Sequence, residues 1–237
     1  MSDDDAWKVL PHQPIQKLEE NLWFVVGSLG GTAPLKRTMV IGKRSDGRLV
    51  IHNAVALEEA AMKEIEAWGE PAFLLVPNGY HRIDARRFKD RYPAIKVLAP
   101  AGSRKRIEEK VHVDGTYDDY PADADVEVVN MEGVNHAEGA MLVHSKSGTT
   151  VAVTDAIFNM PHAPGFGGFL VKYIFASSGG PKLSRLARMA LVKDKAAFRA
   201  QLEKFAEIPD LVRVLVAHHE PIDHEPKEAL RKVAATI

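Results

Sequence analysis

Ten histidines and 32 acidic side chains, with no cysteine at all, set the terms for any chemistry in this 237-residue chain. Without thiols there are no disulfides, and a metal has to be held by His, Asp, Glu or Asn. Three stretches carry such residues to the ends of apolar runs. In "LLVPNGYHRIDARRF" (74–88), the run Phe73 to Val76 ends in Pro77-Asn78-Gly79 and then meets Tyr80, His81 and several arginines. A buried strand that stops abruptly in a turn bearing polar side chains is a frequent seat of chemistry.

The second stretch is a hairpin, "GAMLVHSKSGTTVAVTDAIF" (139–158), turning at Lys146-Ser147-Gly148. His136 lies about ten residues before the turn centre and Asp155 about nine after it, and residues equidistant from a hairpin turn sit side by side. His136 and Asp155 are therefore expected to be neighbours. A nitrogen beside a carboxylate is half of a zinc, iron or manganese site, and it is equally a hydrogen bond closing a hairpin. The third stretch, "LVRVLVAHHEP" (211–221), ends in His218 and His219. Adjacent strand residues face opposite ways, so at most one of them serves a given site, and a surface histidine at a strand end accounts for either.

Other motifs fail on spacing. In "HHEPIDHE" the second histidine comes one residue late for a zinc-protease helix, and Pro221 interrupts it. The glycines of "PGFGGF" do not follow a strand and open a helix, so they are no dinucleotide fingerprint. No nucleophile elbow and no phosphate-binding loop of the Walker type is present. The cations between 182 and 199 read as a solvated helix face.

The elements that must position these residues alternate in type. "NLWFVVGSLGG" (21–31) is a strand, and "TMVIGKRSDGRLVIHNAV" (38–55) is a hairpin turning at Ser45-Asp46-Gly47. "LEEAAMKEIEAWG" puts Leu57, Ala61, Ile65 and Trp68 on one helix face, with Glu59 and Lys63 as an i,i+4 pair. Strands follow at 73–76 and 95–100, with helices near 84–91 and 103–111. The second half has a strand at 125–134, the second hairpin, a Pro/Gly-rich segment at 160–181, and one long helical pattern over 182–208. A last strand and a C-terminal helix close the chain. About ten strands with helices between them predict a layered α/β sandwich in one domain, with 160–181 as an insertion that serves as lid, dimer contact or core.

With 46% hydrophobic and 27% charged residues, the composition is that of an ordinary globular protein. A net charge of −1 favours neither nucleic acid nor acidic lipid. The acidic start, MSDDDAWKVL, does not read as a secretory signal, and no apolar run is long enough for a membrane span. The expectation is a cytoplasmic protein acting on or binding a small molecule, as a monomer or a homodimer.

The order of these pieces resembles the metallo-β-lactamase superfamily, which implies a four-layer αββα sandwich. In that family a G-x-H-x-x-G stretch precedes a hairpin whose far end carries a metal-bridging Asp, and a later strand ends in a ligand His. Asn135-His136-Ala137-Glu138-Gly139 matches the first element. Thr154-Asp155 matches the second and Ala217-His218 the third, both without the usual glycine. The family's H-x-H-x-D-H turn is degenerate here. Starting at Asn78 it reads Asn78, Tyr80, Arg82, Ile83; starting at Val76 it ends on His81; starting at Gly79 it holds His81 and ends on Asp84. No register keeps more than one histidine, so the two-metal site of the family cannot be assembled.

The resemblance thus implies a divergent, mononuclear metallohydrolase. His136, Asp155 and His218, with His81 or Asn78 as a fourth ligand, would hold one zinc or iron ion. A water with its pKa lowered to about 7 would attack an ester, lactone, thioester or phosphoester. Asp155 and Tyr80 are the candidate catalytic residues, Tyr80 donating to the developing oxyanion, with Asn78 and Arg82 as candidate substrate contacts. The alternative is a catalytically silent relative without metal, in which Arg82, Arg86 and Arg87 favour a small anionic ligand or a partner.

Overall fold

The computed structural model describes residues 6–30, 36–161, 178–218 and 220–237. Strands β1 (Gln16–Glu19), β2 (Leu22–Ser28), β3 (Lys36–Lys43) and β4 (Leu49–His52) pair antiparallel in that order. Gly47, at φ +84°, makes the turn into β4, as the Asp-Gly pair predicts. Helix α1 (Glu59–Trp68) then crosses to β5 (Pro71–Leu75), and α2 (Ala85–Arg91) to β6 (Lys96–Ala99). The one-turn α3 (Arg104–Ile107) precedes the short β7 (Gly115–Thr116). Strands β4 to β7 run parallel, because each crossover returns the chain to the same end of the sheet.

A second sheet begins with β8 (Val126–Asn130), β9 (Gly139–Ser145) and β10 (Gly148–Val153), an antiparallel meander. A small pair, β11 (Phe158–Met160) and β12 (Gly180–Lys182), brackets the residues 162–177, so the expected insertion at 160–181 lies largely outside the described residues. The long pattern over 182–208 is two helices, α4 (Arg185–Ala190) and α5 (Lys195–Ala206). It breaks because Asp194 caps α5, accepting from the amides of Ala196 and Ala197, while the Lys193 and Asp194 amides both go to the Gly133 carbonyl. Strand β13 (Leu211–Val216) pairs parallel to β10, and α6 (Pro226–Ala235) ends the chain.

Alternation along the strands builds the layers. Leu22, Phe24 and Val26 of β2 share one buried cluster with Val126, Met141 and Val143 of the second sheet, which is the interior between the sheets. Their neighbours Trp23 and Val25 turn the other way, onto Met62, Ile65 and Phe88 under α1 and α2. On the far side, Leu142, Val151 and Val153 are covered by Phe198, Leu202, Leu230 and Val233 of α5 and α6. Strands buried on both faces read as continuous apolar runs, and the result is the expected four-layer αββα sandwich. One surface contact differs from expectation: the Glu59 carboxylate pairs with Arg91 of α2, at 2.8 Å, rather than with Lys63. Arg91 offers a bidentate fork that a lysine one turn away cannot match. Among the described residues, no helix is long and apolar enough to cross a membrane.

Candidate metal centre

Three side chains meet where parallel strands end. Asp155 lies two residues past β10 and His218 two residues past β13, whose last paired residues are Val153 and Val216. The parallel register therefore brings the two side by side. His81 comes from the turn after β5, which is pinned to the second sheet by the Gly139 amide on the Pro77 carbonyl at 3.0 Å and by a bridge between Asn78 and Glu138. His81, Asp155 and His218 each offer a ligand atom within 4.8 Å of the others. Nε2 of His81 and Nε2 of His218 both stand 3.3 Å from Oδ1 of Asp155.

The outer nitrogens fix the tautomers. Nδ1 of His218 lies 2.8 Å from the Lys36 carbonyl, and a carbonyl only accepts, so Nδ1 carries the hydrogen. Nδ1 of His81 lies 3.1 Å from Oδ1 of Asn53, whose Nδ2 is committed as a donor to the Thr38 carbonyl at 2.8 Å. Each ring thus turns an Nε2 lone pair inward, the orientation that ligand histidines take from their outer partners. Two lone pairs and a carboxylate oxygen facing one another need a proton or a cation between them. Tetrahedral zinc with bonds of about 2.0–2.1 Å sets neighbouring ligand atoms about 3.3 Å apart, which is the distance of each Nε2 from Oδ1 of Asp155.

Charge agrees with geometry. When protons on the two Nε2 atoms take the place of an ion, burial still acts to raise the Asp155 pKa, but the charge of His81 and the hydrogen bonds from both histidines hold it below the usual carboxylate range. Burial would lower His218, and its bond to Asp155 outweighs that and raises it. Beneath lies Glu138, fully buried and pushed up to about 7 by burial and by the Asp155 charge. It accepts from the Thr154 hydroxyl at 2.6 Å, the Asn78 amide at 3.2 Å and the Ala156 backbone at 3.2 Å. Thr154 thus has a use that a glycine would not serve.

The other predicted residues fall elsewhere. His136 is exposed, at φ +51° in a turn, and is not part of the group. The correction is one of register: the hairpin pairs Ser145 with Gly148 and Met141 with Ala152, so the position opposite Asp155 is Glu138, two residues on. Asn78 is 2% exposed and is committed on both ends. Its Nδ2 donates to Oδ2 of Asp155 at 2.9 Å, and its Oδ1 accepts from the amides of Tyr80 and His81 at 2.8 and 3.1 Å. Asn78 thus ties the His81 turn to Asp155. Arg82 pairs with Glu109 at 2.9 Å and donates to the Arg106 carbonyl, and it is not part of the three-residue group. Asp84, the last position of one motif register, is buried between Arg37 and Arg87. His219 lies outside the described residues.

The group opens into a cavity of about 610 Å³ whose wall includes Tyr80, Phe158, Ala187 and Leu191. Phe158 stacks on the His218 ring, with centroids 4.9 Å apart and planes 10° from parallel. Sequence reasoning missed Asn53, Glu138 and Phe158. Counting the hairpin from a two-residue turn would have found Glu138, whereas nothing local marks the other two.

No protein-family model and no curated protein matches the chain. Solved structures do. DIM-1 metallo-β-lactamase exposed to ceftazidime is 12% identical, with a TM-score of 0.64 over 97% of this chain and 99% of that one. FIM-1 metallo-β-lactamase from Pseudomonas aeruginosa in its mono-zinc form is 11% identical, with a TM-score of 0.64 over 97% of each chain. A metallo-β-lactamase from Erythrobacter litoralis is 14% identical, with a TM-score of 0.61 over 94% of this chain and 96% of that one. Such agreement over nearly whole chains, at an identity too low to transfer an activity, concerns architecture, and the protein has the metallo-β-lactamase fold.

Proposed function

We propose that the protein is a metal-dependent hydrolase of an ester, lactone, thioester or phosphoester, with one zinc or iron ion held by His81, Asp155 and His218. The observation that carries this reading is the convergence of two inward Nε2 lone pairs and a carboxylate oxygen on one point of a 610 Å³ cavity. Three protein ligands with an open fourth position are the usual catalytic arrangement. Bound there, the ion supplies Lewis acidity that polarises a carbonyl or phosphoryl oxygen and lowers the pKa of water to about 7.

The chain's own residues do the rest. Asn78 keeps Oδ2 of Asp155 occupied, which leaves Oδ1 turned to the two imidazoles. Phe158 and the alanines of α4 line the cavity with apolar surface. Tyr80, 61% exposed at the mouth of the same cavity, offers its hydroxyl to a bound substrate from that side. A neighbour's mono-zinc form supports a count of one.

A second reading has its own support: protonated at Nε2, the two imidazoles would satisfy Asp155 as ion pairs without a metal, and such a relative would bind an anionic ligand in the same place. Elemental analysis of the purified protein separates the two. About one equivalent of zinc or iron, lost in His81→Ala and in His218→Ala, supports the hydrolase. A metal-free protein whose melting is unchanged by added zinc overturns it.

A further inference from the structure

We propose that the ligand of this cavity is an anionic amphiphile, with an acyl or alkyl portion in the large cavity and a phosphate or carboxylate at Arg106 on its lip. This rests on the cavity being the substrate site. Its volume, about 610 Å³, is in the range that encloses a small organic ligand. The exposed wall is mostly apolar, with Leu29, Ile83, Phe158, Ala187, Ala190 and Leu191 outweighing polar residues such as Ser103 and Ser184. A small, fully hydrated substrate would leave this surface uncovered, whereas an alkyl chain removes it from water.

The two ends differ in exposure and charge. The ligand end is buried, with the His81 side chain 7% exposed. At the other end Tyr80 and Arg106 are exposed, and the Arg106 guanidinium lies 3.9 Å above the Tyr80 ring. Among the described residues Arg106 makes no ion pair, and stacking on the ring leaves its N–H edge open to a planar or tetrahedral anion. Arg106 is held there by Gly79: a Cβ on that residue would come within 2.6 Å of Cδ of Arg106. Beyond this wall a second cavity, of about 340 Å³, shares Gly79, Tyr80, Ile83 and Arg106 with the first. Its other lining residues are Arg82, Arg86, Arg87 and Lys110, so it contributes cations and no carboxylate. Arg82, Arg86 and Arg87 are engaged with Glu109, Asp90 and Asp84, which leaves Arg106 as the contact point for an anion. An anionic head group at Arg106 and an apolar tail toward Phe158 satisfy both regions at once.

Isothermal titration calorimetry with decyl phosphate, decanoate, decanol, decyltrimethylammonium and methyl phosphate, each below its micelle concentration, tests this. Decyl phosphate or decanoate should bind about tenfold or more tighter than decanol, and methyl phosphate should bind weakly. Which of the two acids binds better identifies the head group. Arg106→Gln, an exposed change, should abolish the preference for the anion and keep the binding of decanol. Equal binding of decyl phosphate and decyltrimethylammonium, or an unchanged preference in Arg106→Gln, overturns the inference. The titration is run on zinc-loaded and on chelator-treated protein. A preference that persists in protein that holds no metal and hydrolyses nothing supports the inference and sinks the hydrolase reading alone. Hydrolysis of a short neutral ester by protein with no anion preference sinks the inference alone.

Discussion

Nε2 of His218 stands 3.3 Å from Oδ1 of Asp155, although 63 residues separate them in the chain. The contact follows from one parallel pairing, since β10 and β13 run in register to Val153 and Val216 and each chain then leaves the sheet on the same rim. Side chains on strand ends are held by a rigid sheet, and the third of the group, His81, is brought to them by the loop that Asn78 ties down.

The ligand assignment makes a discriminating prediction. His81→Ala, Asp155→Ala and His218→Ala should each abolish metal retention through dialysis, while His136→Ala should keep the full equivalent. Loss of metal in His136→Ala together with retention in His81→Ala would return the site to the arrangement expected from the hairpin count. Atomic absorption on the four variants decides it.

Asn78→Ala removes the amide that Asp155, Glu138 and two backbone N–H groups share. Buried groups left without partners cost about 1–3 kcal/mol each, so chemical denaturation should show a loss of that order. Metal affinity should fall by about 10–100-fold, as for other residues that orient ligands. An affinity equal to wild type would show that Asn78 positions nothing.

Two buried histidines should give the metal-free protein opposite pH limbs. His218 has its pKa raised above the usual 6.5, so its stabilisation is full below pH 6.5 and is lost as pH rises through the raised value. His52 is pushed down to about 3, by burial first and then by the charge of His81. It stays neutral in the fold, so its contribution is present above pH 6.5 and fades as pH falls toward 3. Melting temperatures between pH 4 and 9 are therefore expected to show a shallower acid limb in His52→Leu and a shallower alkaline limb in His218→Gln, where the raised pKa of Glu138 supplies the remainder.

Asp84 is fully buried between the guanidinium groups of Arg37 and Arg87, and it also accepts from the Ala56 amide at 2.9 Å. Asp84→Ala strands two buried cations and should cost about 3–5 kcal/mol in urea unfolding. A loss below about 1 kcal/mol, the level of a surface ion pair, would mean that water already reaches the triad.

Gly139→Ala should be costly for a steric reason. A Cβ there would come within 1.8 Å of the Tyr117 ring, which is buried next to Glu138 between the two sheets. Overpacking of this kind costs about 1–3 kcal/mol, read as a drop in the denaturant midpoint.

Much of the architecture was legible in the residues themselves. The apolar runs of β2, β3 and β5 are strands buried on both faces, and Ser45-Asp46-Gly47 turns the first hairpin as read. Asp155 and His218 stood out because each follows an apolar strand with a metal-competent side chain. Local chemistry decides such features, because alternation and turn type involve neighbours in the chain. The break in the 182–208 helix was not legible in the same way, since the Gly133 carbonyl that draws off the Lys193 and Asp194 amides lies some sixty residues away in sequence.

The third member of the His–Asp–His group depended on the tertiary structure alone. The sequence determined that imidazoles and carboxylates would sit at strand ends, and that no turn register could hold two histidines. Whether His81 or His136 completes the group depends on which loop the two packed sheets bring to the Asp155 rim, and a shift of two residues in one hairpin changes the answer. Side chains 74 and 63 residues from Asp155 converge on it only after both sheets have closed on their common interior.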